Sequence, residues 1–346
     1  ALEAPRTRLL TQFNALPQGV KFLVDLRADL MAHARKDATL ASLDEDLRRL
    51  LESWFDIGFL DLRRMTWDAP AALLEKLIAY EAVHEIRSWE DLKNRLDSDR
   101  RCFAFFHPRM PDEPLIFVEV ALVDGMADNI HDLLDEKAPL VDPARNANTA
   151  IFYSISNAQR GLGGISFGGF LIKRVVDLLA TEYPGLKTFA TLSPIPGFRR
   201  WLSREIEAGR TPLTPAEADA ICQATGFEEP NDALTRALDA EHWHQDERMI
   251  EALRGPLMRL CAEYLVNEKR RGTRAVDPVA HFHLTNGARV DRLNWLGDTS
   301  ANGMARSAGM MVNYLYVSDR IEENHEAYTG EGRVTASSSV TRLLKS

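Results

Sequence analysis

The chain is poor in cysteine. Its 346 residues include three, Cys102, Cys222 and Cys261. An odd number of widely spaced cysteines forms neither a disulfide framework nor a Cys-x-x-Cys motif. A reducing compartment is therefore expected.

Long apolar runs and an excess of positive charge are also missing. No stretch approaches the roughly 18 consecutive apolar residues that a membrane span needs. Lys and Arg number 42 against 51 Asp and Glu, so the formal net charge is −9. An acidic chain is a poor general binder of nucleic acid or of anionic membranes. Neither is expected as a partner, although a local basic site for a phosphorylated ligand remains open.

What is present predicts an α+β protein of about two domains. Apolar residues at helical spacing, such as Leu23, Leu26 and Leu30, predict a helical domain over residues 1–57. Ser42 with Glu45 fits a capping box at the start of its second helix. Residues 58–346 alternate strands with helices. Strands are expected at 101–107, 114–123, 149–156 and 187–192, a helix from Leu171, and mostly helices over 199–268. Extended segments are expected at 281–296 and 310–317, followed by a loosely held polar end.

The glycine-rich segment Arg160 to Gly169, between a predicted strand and a predicted helix, suits a phosphate group. Glycines let a backbone approach a ligand closely, and a helix N-terminus favours an anion. The segment is not a Walker loop. It is not a Rossmann fingerprint either, because Ser166 stands where the third glycine belongs and no carboxylate ends the next strand. The pyrophosphate loop of acetyltransferases of the GNAT fold is closer.

A hydrolase motif overlaps this loop. The run from Gly164 to Gly168 reads G-x-S-x-G, with Ser166 as the candidate nucleophile. Asp277 and either His281 or His283 would complete the order of a triad. However, a nucleophile elbow requires a strand directly before the serine, and seven loop-like residues intervene.

His281 and His283 flank Phe282 in the segment expected to be extended, which would place both rings on one side of a strand. Such a pair suits a metal or one catalytic imidazole, but a metal needs a third ligand and none lies near in sequence. We therefore expect no metal. Ser193 lies at the carboxyl end of a predicted strand, a place suited to ligand contact.

Several longer segments, in order, resemble the malonyl-CoA decarboxylase family. They are TAIFYSIS, GLGGISFGGFLIKRVV, LSPIPGF, PLMRLCAEYL, VAHFHLTNGA and RLNWLGDTS. The resemblance implies a helical oligomerisation domain followed by a GNAT-like mixed-sheet catalytic domain. It implies conversion of malonyl-CoA to acetyl-CoA and CO2 without a metal or organic cofactor, coenzyme A being part of the substrate. It also implies a homotetramer, and the absence of a peroxisomal C-terminal tripeptide favours a cytoplasmic, bacterial-type member.

The resemblance places the catalytic serine at Ser193 and the catalytic histidine at His283. Ser154 and Tyr316 correspond to supporting groups of the active site. The CoA-binding loop corresponds to Gly163, Gly164, Ile165, Ser166, Phe167, Gly168 and Gly169. Ser166 stands where some relatives carry an acid, and the helical domain is shorter than in the family.

The expected mechanism passes through a thioester enolate. Ser193 would position and polarise the malonyl group, and His283, with a near-neutral pKa, would protonate Cα. Two alternatives other than a hydrolase remain open. One is an acyltransferase that moves an acyl group from CoA to an amine, and the other is a sensor that binds acyl-CoA without reacting.

Overall fold

The computed structural model describes residues 5–34, 36–55, 57–135, 137, 142, 146–165, 171–210, 212–270 and 272–345. The helices are α1 Pro5–Gln12, α2 Gly19–His33, α3 Ala38–Trp54, α4 Ala71–Tyr80, α5 Trp89–Arg95, α6 Ile130–Leu133, α7 Leu171–Glu182, α8 Phe198–Glu207, α9 Pro215–Thr225, α10 Pro230–Asp239, α11 Glu247–Val266, α12 Pro278–Thr285, α13 Ala301–Ser307, α14 Ile321–Glu331 and α15 Ser338–Leu343. The strands are β1 Asp61–Met65, β2 Arg100–His107, β3 Met110–Val123, β4 Thr149–Asn157, β5 Thr188–Thr191, β6 Ser193–Pro194, β7 Lys269–Arg270, β8 Arg274–Ala275, β9 Arg289–Asn294 and β10 Met311–Tyr316.

The chain divides into two compact units, and strand β4 contributes to both. Described residues within 1–122 and 154–182 form the first unit, and those within 123–137, 146–153 and 183–346 form the second. The units do not coincide with a boundary at residue 57, because helices α1 to α3 belong to the same unit as β1 to β3 and α7.

An antiparallel sheet of β1, β2 and β3 organises the first unit. Asp61 lies opposite Phe106, and Arg100 lies opposite Ala121. Helices α4 and α5 supply leucines to a buried cluster against these strands, which removes apolar surface from water. That cluster consists of Met65, Leu74, Leu77, Ile86, Leu92, Cys102, Ala104, Phe106, Phe117 and Ala158.

The first residues of the chain are helical, as predicted, but the residue that caps helix α3 is not the predicted one. The side chain of Asp37 accepts hydrogen bonds from the N–H groups of Thr39 and Leu40, so α3 begins at Ala38. Ser42 therefore lies inside the helix, where its hydroxyl accepts a hydrogen bond from Arg6. The capping box predicted at Ser42 is wrong because Asp37, five residues upstream, already caps the helix.

A mixed sheet organises the second unit. Strand β5 runs parallel to β4, from the pair Thr149 and Thr188 to the pair Phe152 and Thr191. Strand β10 runs antiparallel to β5, to β6 and to β9. The order strand, loop, helix, parallel strand, seen in β4, α7 and β5, is the GNAT-like arrangement that the resemblance implies. The α+β class is confirmed.

Two expectations for the last third of the chain are wrong. Residues 278–285 form helix α12 rather than a strand, because Asp277 caps it and Pro278 occupies its first position. The polar end is not loose. It forms α14 and α15, Val340 is buried, and Ala336 bridges to Val290 of β9.

Candidate active site

A pair of buried hydroxyl groups lies where strand β5 gives way to β6. Thr191 ends β5 and Ser193 begins β6, and alternate residues of an extended chain share one side. The Oγ of Ser193 accordingly donates a hydrogen bond to Oγ1 of Thr191 at 2.8 Å. Ser193 lies opposite Val312 of β10, so the sheet fixes its position.

His283 of helix α12 joins this pair to Tyr316 of β10. Its Nε2 lies 3.2 Å from Oγ of Ser193, and its Nδ1 lies 2.8 Å from the hydroxyl of Tyr316. The ring of Tyr314 stacks on the imidazole, with centroids 4.6 Å apart and planes 24° apart. Ser193, His283 and Tyr316 are thus brought together as the resemblance implies.

The direction of these hydrogen bonds sets the tautomer of His283. Since Ser193 donates its proton to Thr191, it presents a lone pair to Nε2 of His283. Nε2 therefore carries the imidazole proton, and Nδ1 accepts from the hydroxyl of Tyr316. Burial raises the pKa of that phenol, which keeps its proton in place. In this arrangement the imidazole donates to Ser193 rather than accepting its proton.

Burial also decides the charge of the imidazole. His283 is 3% exposed, and its burial lowers the pKa from the ordinary value of 6.5 to about 3. The near-neutral pKa expected from the sequence is therefore wrong, because removal from water disfavours the charged form. His283 is neutral at physiological pH in this site.

Asp277 is the N-cap of helix α12, and its carboxylate accepts hydrogen bonds from backbone N–H groups. One carboxylate oxygen accepts from the N–H groups of Val279 and Ala280, and the other accepts from the N–H of Gly197 and the hydroxyl of Tyr264. These contacts cap α12, which carries His283. Among the described residues, the hydrogen bonds of Asp277 reach neither histidine. The pairing of acid and histidine that a hydrolase triad would need at Asp277 is therefore not formed among these residues, and Ser166 lies outside them.

The two histidines of the H-F-H segment separate because they lie on a helix. Residues two apart on a helix point about 200° apart around its axis. His281 faces Tyr328, with Nδ1 2.7 Å from the hydroxyl, while His283 faces Ser193 and Tyr316. Within the described residues, no group of three or more His, Cys, Asp or Glu side chains could hold a metal ion.

Sequence reasoning missed the groups that hold Thr191. The buried amide of Asn313 donates to the carbonyl of Thr191 at 2.6 Å and accepts from Asn294 at 2.9 Å. The N–H of Tyr314 donates to the hydroxyl of Thr191 at 3.1 Å. An asparagine in the middle of an apolar strand was the available signal, since a buried amide requires partners.

Ser154 belongs to the first unit and contacts a carboxylate. Its hydroxyl lies 2.8 and 2.7 Å from the two oxygens of Glu81. Glu81 also accepts from the hydroxyl of Ser156 and from the N–H groups of Val83 and His84. No pattern in the sequence indicated Glu81 as a partner of Ser154, and the assignment of Ser154 to the active site stays a prediction.

The start of the glycine-rich loop also belongs to the first unit. Residues Arg160–Leu162 form a 3₁₀ turn, and Gly163 follows it. Gly164 has φ of +76°, a left-handed conformation that favours glycine. Ser166, Phe167, Gly168 and Gly169 lie outside the described residues, so their assignment to CoA binding stays a prediction.

No helix in the described part of the chain is both long and apolar enough to cross a membrane. Fold and site together define an α+β protein with a buried, neutral pairing of imidazole and hydroxyl groups. Comparison with known protein families identifies the class of protein more closely. The malonyl-CoA decarboxylase N-terminal domain matches residues 1–55, and the malonyl-CoA decarboxylase C-terminal domain matches residues 58–346.

Individual proteins agree with this match. The chain is 43% identical over 352 residues to the mitochondrial malonyl-CoA decarboxylase of Anser anser anser, across 98% of this chain and 69% of that protein. The crystal structure of malonyl-CoA decarboxylase from Rhodopseudomonas palustris is 45% identical with a TM-score of 0.89, covering 97% of this chain and 79% of that one. That from Agrobacterium vitis is 47% identical with a TM-score of 0.88, covering 99% and 80%. The chain belongs to the malonyl-CoA decarboxylase family.

The lowered pKa of His283 predicts a loss of stability in mild acid. Below pH 6.5 the unfolded chain binds a proton at this residue, whereas the folded chain does not until about pH 3. The free energy of unfolding therefore falls as pH decreases through this window, by about 2 kcal/mol between pH 7 and pH 5. The measurement is urea unfolding at pH 7 and at pH 5. In His283→Asn the fall in the free energy of unfolding between the two pH values should be about 2 kcal/mol smaller than in the wild type. The exposed His242→Asn is the control and should keep the wild-type difference; equal differences in all three proteins would contradict the prediction.

Proposed function

We propose that this chain decarboxylates malonyl-CoA to acetyl-CoA and CO2. Membership of the family supports the substrate and the reaction class. The observation that carries the proposal is the hydrogen-bond series from Tyr316 through His283 to Ser193 and Thr191, in which every member is neutral.

A neutral, buried site suits the loss of CO2. The malonyl carboxylate starts with a full negative charge, which leaves it as the C–C bond breaks. Desolvation of that carboxylate therefore favours the transition state, in which the charge is spreading away from it. A protein carboxylate facing the site would repel the substrate, and the buried Asp277 is engaged by four donors of its own.

In the first step the bond between Cα and the carboxylate carbon breaks and CO2 leaves. The electron pair moves onto Cα and the thioester oxygen as an enolate. Ser193 donates its hydroxyl to that oxygen, exchanging its bond to Thr191 for one to the substrate. A donor placed at a developing oxyanion typically contributes about 3–4 kcal/mol.

In the second step Cα takes a proton and becomes a methyl group. His283 transfers the proton on Nε2 to Cα while Nδ1 takes the proton of the Tyr316 hydroxyl. The tyrosinate then takes a proton from water, so the cycle consumes one proton and restores every group. This relay keeps the imidazole neutral throughout, in keeping with its lowered pKa.

Variants of the two central residues test the assignment. We expect Ser193→Ala and His283→Asn each to lower kcat by about 100-fold or more, with little change in KM, because their contacts form mainly in the transition state. The assay incubates malonyl-CoA with protein, EDTA and no amine, and measures products by mass spectrometry. Ser203→Ala, an exposed serine on α8, is the control and should be fully active.

The product decides between the functions. Enzyme-dependent acetyl-CoA that is lost in both variants supports the proposal. Free CoA would indicate a hydrolase, and free CoA only when an amine is added would indicate an acyltransferase. Unchanged malonyl-CoA would indicate a sensor. Any of these last three results, or full activity in a folded Ser193→Ala, contradicts the proposal.

The charge of the free site gives a second test. A plot of kcat/KM against pH reports ionisations of the free enzyme and substrate. Since His283 has a pKa of about 3 and Tyr316 ionises above its ordinary range, we expect kcat/KM to stay level between about pH 5 and pH 9. An inflection near pH 6.5 that disappears in His283→Asn would contradict the neutral relay.

Three finer statements accompany the function. We propose that turnover needs no metal or organic cofactor, that the enzyme acts on malonyl-CoA in the cytoplasm, in malonate catabolism or fatty-acid metabolism, and that it is a homotetramer. The bacterial origin of the neighbouring structures supports the location. Large apolar side chains that are half or more exposed support an interface formed by the first helices and the 3₁₀ turn that follows α3. They are Leu9, Leu16, Phe22 and Phe59.

Light scattering after size exclusion tests the assembly. Phe22, which is 51% exposed, stacks on Phe13 on this surface. We expect the wild-type protein to have the mass of four chains and Phe22→Asp to have a smaller mass, because a charge would be buried at the interface. Trp89→Asp places the same charge on another exposed aromatic position and should keep the wild-type mass. A wild-type monomer would contradict the proposed assembly.

A further inference from the structure

An arginine of the N-terminal helices is buried against the start of the glycine-rich loop. Arg27 of α2 is 2% exposed. Its Nη1 donates to the carbonyl oxygens of Gly161 and Gly163, at 2.6 and 3.0 Å. Its Nε donates to the carboxylate of Asp44 on α3 at 2.9 Å, which balances the buried charge.

The same face of α2 touches this segment at two further points. A Cβ atom added to Gly161 would lie 1.8 Å from the carbonyl oxygen of Val24, so only glycine lets the two backbones approach this closely. A Cβ atom added to Gly163 would lie 3.2 Å from Cε of Met31. Val24, Arg27 and Met31 are spaced i, i+3 and i+7, which places them on one face of the helix.

These contacts orient the peptide that leads into the loop. In a trans peptide the C=O and the following N–H point in opposite directions. Because Arg27 holds the carbonyl of Gly163, the N–H of Gly164 is directed away from α2. Backbone N–H groups presented in this way are the donors that phosphate groups bind at glycine-rich loops.

We propose that Arg27 is a positioning residue for coenzyme A, and that helix α2 thereby supports the backbone of residues 161–164, whose N–H groups would bind a phosphate of the ligand. The inference rests on the proposed function for its ligand. Arg27 acts through the backbone of residues 161–163. Hydrogen bonds from a charged donor are stronger than neutral ones, and the planar guanidinium lets Nη1 serve both carbonyls while Nε serves Asp44.

The test replaces Arg27 and measures binding separately from chemistry. We expect Arg27→Met to raise KM for malonyl-CoA, and Kd for coenzyme A by calorimetry, about tenfold or more, with kcat within about twofold of wild type. Arg27→Lys keeps the pair with Asp44 but has one compact head group, so we expect an intermediate KM. Arg48→Met is the matched control, because Arg48 on α3 pairs with Glu45 and Glu52 only on the helix surface.

Hydrogen–deuterium exchange gives a readout that a general loss of stability does not. We expect faster exchange in peptides covering residues 158–165 of Arg27→Met, without a change in peptides from β5 and β10. If Arg27→Met does not fold, the same measurements on Arg27→Lys and on Met31→Ala decide the question. A folded variant with unchanged KM, Kd and exchange, or with lowered kcat alone, would overturn the inference.

Measuring coenzyme A binding and malonyl-CoA turnover separately distinguishes a failure of this inference from a failure of the proposed function. A wild-type protein that binds coenzyme A but leaves malonyl-CoA intact contradicts the function, and the effect of Arg27→Met on Kd still tests the inference. If the wild-type protein decarboxylates malonyl-CoA and Arg27→Met has the same rate at every malonyl-CoA concentration, the inference is contradicted and the proposed function is not.

Discussion

The burial of the His283 imidazole away from water determines which kinds of side chain can surround it. A protonated His283 would have to be stabilised at nearly complete burial, and no partner charge contacts it among the described residues. Its surroundings are accordingly hydroxyl groups, an aromatic face and a buried amide, from Ser193, Thr191, Tyr316, Tyr314 and Asn313. Such groups can hold and pass a proton without carrying a net charge, which is the property that separates this site from an acid-supported triad.

A buried carboxylate near the site, that of Asp277, has a structural role. Burial raises the pKa of Asp277, while four donors favour its ionised form. Two of those donors are the first free N–H groups of α12, and a third comes from Gly197 beyond β6. Asp277 therefore ties the helix that carries His283 to the segment that follows Ser193. Its four hydrogen bonds hold the helix that carries His283 against the segment that follows Ser193.

The sequence predicted the parts of this arrangement that are local. The strands around Ser193 and Tyr316 follow from apolar runs, and the resemblance named Ser193 and His283 together. The alternation in H-F-H was misread as a strand, although the adjacent Asp-Pro pair is a helix start with a physical cause. Thr191 and Asn313 were missed because their roles depend on pairing between β5 and β10, which no local pattern contains. The lowered pKa of His283 could not be predicted, because burial is a property of the folded packing.

The contact between Arg27 and the glycine-rich loop shows the same limit over a longer separation. Glycines leave a loop with much conformational entropy, so a loop that must present N–H groups to a ligand needs support from outside itself. Helix α2 holds residues 161 and 163 through the hydrogen bonds of Arg27, and Asp44 of α3 balances the charge of that buried arginine. Without α2, the carbonyls of Gly161 and Gly163 would lose their hydrogen bonds to Arg27, and no close approach would require glycine at position 161. The first helices are therefore part of the framework that holds residues 161–163 in place.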